Sequence, residues 1–226
     1  MKRYDAFRQI HKGLRALLYD TAIHLQHTDF SSYEEAELAF DKLESVLKAF
    51  HLHAEHEEGY LLAACGLVNP ILVREFESEH EKGEFLSHRM RSLVMVFKYA
   101  TCTSSRLEAG DAIFKAFNEF IAFSLYHMNK EEEKLNNTLW SHYKDEEIIA
   151  IQKKLAESIP NADLQFAHSW MLKGNSNAEV IIWLRTVKNG APDFVFKGLM
   201  NLAESILPEE RWAKVQEGLS EGAMVA

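Results

Sequence analysis

Residues 50–64 read FHLHAEHEEGYLLAA, with three histidines and three glutamates set among apolar residues. Phe50, His53 and Glu57 follow one another at steps of three and four, which places them in one line along a helix. The apolar stripe leading in (Phe40, Leu43, Leu47) and the one leading out (Leu61, Ala64) belong to the same helical pattern. An imidazole and a carboxylate therefore stand on the face that this helix would bury. Gly66 closes the segment as a helix stop.

Working outward, the flanking sequence is helical too. Ser31 and Ser32, each followed three residues later by Glu34 or Glu35, supply a capping-box start for this second helix. Before it, a helix is expected over residues 3–27, with the stripe Tyr4, Phe7, Leu14, Leu18 and Leu25. After it, Asn69 and Pro70 open a third helix running to about Ala100. Ser105 with Glu108 is expected to cap a fourth, whose stripe is Ile113, Phe117, Phe120, Leu135 and Leu139. Four long helices joined by short breaks predict an all-α chain built on an up-down-up-down four-helix bundle over residues 1–142.

Beyond that point the helical segments shorten, to 145–158, 161–172, 177–189, 192–206 and 208–219. Gly174, Gly190, Pro192 and Pro208 punctuate them at stop and start positions. Residues 143–226 thus form a C-terminal extension of short helices, expected to pack on the bundle or to form a dimer contact. Trp170, Trp183 and Trp212 give it apolar anchors, read as core rather than as a ligand box.

Each bundle stripe is interrupted by metal-ligand residue types: His11 on the first helix, His53 and Glu57 on the second, His80 and Glu84 on the third, and His127 and Glu131 on the fourth. Residues four apart share a helix face, so each His-x-x-x-Glu pair offers an imidazole and a carboxylate to a common point. Seven such groups facing a bundle interior would be costly without compensation, and bound cations supply it. Four histidines and three glutamates suffice for two metal ions, and mixed nitrogen and oxygen donors suit iron, with manganese and zinc as rivals. Glu57 and Glu131 are assigned as bridges, with the histidines terminal. His51 with Glu55 has the same spacing but lies off the stripe and reads as a solvated face. Glu58, beside Glu57, reads equally as an outer acceptor or a solvated residue. His24 sits about 140° around the first helix from His11 and is not assigned.

Composition narrows the function. The formal charge is −9, from 25 basic and 34 acidic residues, which makes nucleic acid a poor partner. No segment approaches ~20 consecutive apolar residues, so no membrane span is expected, and the charged N-terminus lacks a signal-peptide core. Cys65 and Cys102, without CxxC spacing, read as small buried residues in a reducing compartment, with the cytoplasm as the default.

Four phrases in order, IHKGLRALL (10–18), FHLHAEHEEGYLLAA (50–64), ESEHEKGEFL (77–86) and LYHMNKEEEKL (125–135), resemble the hemerythrin-like, or HHE cation-binding, domains over residues 1–142. The resemblance implies a non-haem di-iron centre that binds dioxygen or nitric oxide, or that senses iron and oxygen status. It carries over His11, His53, Glu57, His80, His127 and Glu131 as ligands. Oxygen-carrying hemerythrins place a second histidine where this chain has Glu84, and end on a His and Asp one residue further apart than His127 and Glu131. A more anionic site favours ferric iron, which weakens the case for reversible oxygen carriage and strengthens sensing or scavenging.

Three functions compete on these grounds. The first is a di-iron binding protein acting as a carrier, sensor or scavenger of iron, dioxygen or nitric oxide. The second is a redox enzyme of the ferritin-like class, oxidising ferrous iron or reducing peroxide. That class uses two Glu-x-x-His motifs, and this chain has one, Glu77 with His80. The third is a metal-free helical interaction module, which leaves the interior polar groups unexplained.

Overall fold

The computed structural model describes residues 3–221. Among them the regular structure is entirely helical, without a strand. The first helix, α1, spans Arg8–His27. The second, α2, is continuous over 33–66 but not uniform: an α-helical stretch Tyr33–His56 passes into a π-helical stretch Glu57–Leu62 and then a final α-turn Ala63–Gly66. The series continues with α3 (Pro70–Lys98), α4 (Thr103–His142), α5 (Asp145–Ser158), α6 (Asn161–Gly174), α7 (Asn177–Gly190), α8 (Asp193–Ile206) and α9 (Glu209–Glu221). None of these helices is long and apolar enough to cross a membrane.

The helix starts follow capping chemistry. Ser32 accepts a hydrogen bond from the Glu35 amide, and the Glu35 carboxylate accepts from the Asp29 amide instead of closing the box on Ser32. Asn69 accepts from the Leu72 amide ahead of Pro70, as expected of an N-cap followed by proline. The fourth helix begins two residues earlier than Ser105, with Cys102 in the N-cap position. Cys102 is exposed there, which corrects its reading as a buried residue, whereas Cys65 is buried and its thiol is pushed up to about 12 by burial.

The chain divides into two compact units. The first holds residues 3–7 and 17–158, the second 8–16 and 159–221. This differs from a boundary at 142/143, because α5 sorts with the first unit. Ile148 on α5 is fully buried in a core with Phe7, Leu62, Phe76 and Leu139. Arg3 pairs with Asp145 at 2.6 Å, and its guanidinium donates to the carbonyls of Trp140 and Tyr143 at the end of α4, groups that a helix C-terminus leaves without helical partners. Residues 3–7 give their amides to side chains, Tyr4 to Asp145 and Ala6 to Asn136, so α1 starts at Arg8 and not at Arg3. Elsewhere in this unit the rings of Phe30 and Phe40 pack on Phe97 at 6.0 and 5.0 Å, in edge-on geometry.

The second unit has its own core of Leu172, Val180, Leu184, Leu199, Ala203, Leu207 and Val215. Here the 8–16 stretch of α1 packs on α6 by close backbone approach. A side chain at Gly13 would meet the Met171 amide nitrogen at 2.9 Å, and one at Gly174 would run into the Lys12 carbonyl. Glu179 closes a full capping box with Ser176 at the start of α7 and also receives Lys12 at 2.5 Å and Arg8 at 3.2 Å. Burial would raise its pKa, but those cations and the Ser176 donors outweigh it and hold it down to about 2.

Candidate metal centre

Within the first unit, α2, α3 and α4 bring five of the seven sequence-assigned residues together. His53 Nε2 lies 3.2 Å from Glu57 Oε1, one turn along α2. His127 Nε2 lies 2.9 Å from Glu131 Oε1, one turn along α4. Between them, His80 on α3 places Nε2 at 3.6 Å from both Glu57 Oε2 and Glu131 Oε1, with its ring centroid 4.9 Å from that of His127. Ligand atoms of Glu57, His80, His127 and Glu131 all lie within 4.8 Å of one another, and so do those of His53, Glu57 and Glu131. Two donor groups thus share the same two carboxylates.

The π-helical stretch begins at Glu57. In an α-helix each step of four overshoots a full turn by about 40°. The wider π-turn takes up that overshoot, so Glu57, Leu61 and Cys65 all stay buried, at 2, 3 and 0% exposure. Single π-turns within helices are frequent at functional sites.

These groups sit away from water. Glu131 is fully buried, Glu57 is 2% exposed, and the His80 and His127 side chains are 8 and 9% exposed. Burial disfavours the charged imidazolium of His80, but Glu131, Glu57 and Glu58 outweigh it and lift its pKa to about 10. His127 is likewise depressed by burial and raised more strongly by Glu131 and Glu79. The outer ring nitrogens are held by further carboxylates: His80 Nδ1 by Glu58 and His127 Nδ1 by Glu79, each at 2.8 Å. Burial raises the Glu79 carboxyl, yet His127 and Lys130 bring it below its ordinary range. A carboxylate behind the imidazole is the usual means of fixing a ligand's tautomer and orientation.

The donor set fits a divalent cation. Imidazole nitrogens and carboxylate oxygens are ligands common to iron, manganese and zinc. His80 Nε2 is buried and makes no hydrogen bond, because its separations of 3.6 Å exceed hydrogen-bond length. An ion at ordinary metal–ligand distance from the imidazole and both carboxylates would satisfy it, in competition with protons for the same lone pairs.

Two assigned residues remain. His11 is fully buried on the 8–16 stretch of α1, within the second unit. Glu84 does not join the cluster. It faces His51 at 3.4 Å, His88 at 3.1 Å and Arg91 at 3.7 Å, with 37% of its side chain exposed. The seam of α3 explains this: Val73, Phe76, His80, Gly83, Ser87 and Met90 follow one another by threes and fours, and that line passes through Gly83 and leaves Glu84 beside it. Glu79 is the residue that the stripe pattern misses, since it lies one position off the seam. Its only sequence signal is adjacency to His80. Comparison of the chain with protein-family models, with curated proteins and with solved structures gave no match.

Proposed function

We propose that this chain is a cation-binding protein of the hemerythrin-like kind. It holds two iron ions among the helices of an up-down-up-down four-helix bundle, and it senses, carries or scavenges iron, dioxygen or nitric oxide. The observation that supports this reading is the sharing of Glu57 and Glu131 by two groups of imidazole and carboxylate donors. Carboxylates can bridge two ions, whereas an imidazole nitrogen serves one. Glu57 and Glu131 would therefore serve both ions, with His80, His127 and His53 as the histidines that would hold them. His11, buried on its helix stripe, is the remaining proposed histidine ligand.

Bound iron supplies the redox and diatomic-binding chemistry; the residues around it supply orientation and charge. Glu58 and Glu79 fix the rings of His80 and His127, and Phe76 and Phe123 pack on His127 with centroids at 5.8 Å. The test is exposure of ferrous-loaded protein to nitric oxide or dioxygen while its absorption is followed. Stoichiometric uptake with a spectral shift and no turnover is expected. Sustained oxidation of added ferrous iron would make it an oxidising enzyme instead, and no uptake of either gas would overturn the proposal.

A further inference from the structure

Two His–Glu relationships lie outside the centre. On α2, His51 Nε2 stands 3.5 Å from Glu55 Oε1; on α3, His88 Nε2 stands 3.1 Å from Glu84 Oε1. They converge, because His51 Nδ1 is 3.4 Å from Glu84 Oε2. His51, Glu55 and Glu84 are 48, 58 and 37% exposed along their side chains, so these donors face water.

The same three residues line a cavity of about 310 Å³ that is also lined by His53, His80 and His127. One cavity therefore carries solvent-facing histidine and glutamate donors and, deeper, the imidazoles of the candidate centre. His80, whose Nε2 is buried and without a hydrogen bond, is one of its lining residues. The lining also includes the apolar rings of Phe50, Phe120 and Phe123. Three cations stand near the cavity, of which Lys130 is paired with the lining residue Glu79 and with Glu75. Arg91 approaches Glu84 at 3.7 Å but is committed to Glu44 through contacts at 2.9 and 3.0 Å, and Lys82 lies over the Phe123 ring.

We propose that this cavity is the loading route for divalent cations and that His51, Glu55 and Glu84 form its outer, transient binding site. The inference rests on the metal-binding reading above and extends it to how the ion arrives. A hydrated dication meets a steep desolvation cost on entering a dry interior. Oxygen and nitrogen donors at the mouth replace part of its water in advance. A negatively charged cleft between low-dielectric walls concentrates cations and raises association rates by ~10–10³-fold. Exposed donors also bind weakly enough to release the ion inward. This accounts for two motifs, His51 with Glu55 and Glu84 with His88, that have the ligand spacing but stand outside the cluster.

The test is stopped-flow mixing of the metal-free full-length chain with cobalt(II), whose visible absorption reports entry into a nitrogen and oxygen site. Wild type is compared with Glu55→Gln/Glu84→Gln and with a charge-matched control, Glu204→Gln/Glu217→Gln, both exposed positions of the second unit. The mouth variant is expected to load about tenfold more slowly than the control, with a weaker dependence on ionic strength and an unchanged final cobalt content. Circular dichroism checks that both variants are folded. Loading at the control rate would overturn the route while leaving the metal centre in place. A lower final cobalt content at an unchanged rate would also overturn it, since the residues would then be equilibrium ligands. A wild-type chain that takes up no cobalt would overturn the centre itself, and the route with it.

Discussion

Glu57 on α2 and Glu131 on α4 come to the same distance, 3.6 Å, from a single imidazole nitrogen, His80 Nε2 on α3. Two almost fully buried carboxylates focused on one nitrogen form a strongly polar point inside an apolar interior. Burial disfavours charge on His80 and His127, but the neighbouring carboxylates raise both imidazoles above their ordinary pKa, and a metal ion would balance the carboxylate charge directly.

Removing one of these carboxylates separates the centre from its surroundings. Glu131→Ala is expected to abolish metal binding and to destabilise the metal-free protein by about 3–5 kcal/mol, because buried imidazoles lose their partner. Glu84→Ala is expected to keep full metal content and to stay within about 0.5 kcal/mol of wild type. Metal analysis and urea midpoints of both variants decide it. Equal metal content in the two would misplace the centre.

The carboxylates behind the histidines tune the site without building it. Glu58→Gln and Glu79→Gln are each expected to weaken metal affinity about 10–100-fold with no change in stoichiometry. Competition titration against a chelator measures this. Wild-type affinity in both would mean that the outer hydrogen bonds do not orient the ligands.

The second unit has a separate acid response. His168 packs edge-on against Trp183 with centroids at 5.1 Å, and burial pushes its imidazole down to about 4 from the ordinary 6.5. Unfolded chains take up that proton first, so stability is lost as pH falls from about 6.5 through about 4. Glu179 acts lower: its ion pairs contribute fully above about 4.5 and are lost as pH falls towards about 2. Tryptophan fluorescence of denaturant unfolding reports this unit through Trp170, Trp183 and Trp212. His168→Phe should flatten the decline between pH 6.5 and 4; a decline as steep as in wild type would assign it to other groups.

Glycine replacements probe the close packing of residues 8–16 on α6. Gly13→Ala places a methyl against the Met171 backbone, which cannot swing aside, and is expected to cost about 1–3 kcal/mol. Gly190→Ala meets nothing within 4 Å and is expected to be neutral or to stabilise by up to about 1 kcal/mol. Thermal unfolding of the two variants should separate them by several degrees.

Much of this was readable in the chain. The punctuation by Gly174, Gly190, Pro192 and Pro208 located the short helices to within two residues, because stop and start chemistry is local. His53, Glu57, His80, His127 and Glu131 could be picked out because each interrupts an apolar stripe. Glu84 shows the limit of spacing alone. It has the same four-residue relation to His80 that Glu131 has to His127, but the α3 seam steps by three at that point and the α4 seam by four. The π-turn at Glu57 carries no composition signal, since it depends on packing of the whole helix. Glu79 depends on a partner 48 positions away and so was not visible as a pair.

The central claim is most directly tested by anaerobic reconstitution of the metal-free chain with ferrous iron, followed by metal analysis of the wild type and of Glu57→Ala/Glu131→Ala. Two irons per wild-type chain and none in the double variant is the expected result. No iron in the wild type, or iron retained after both carboxylates are removed, would contradict it.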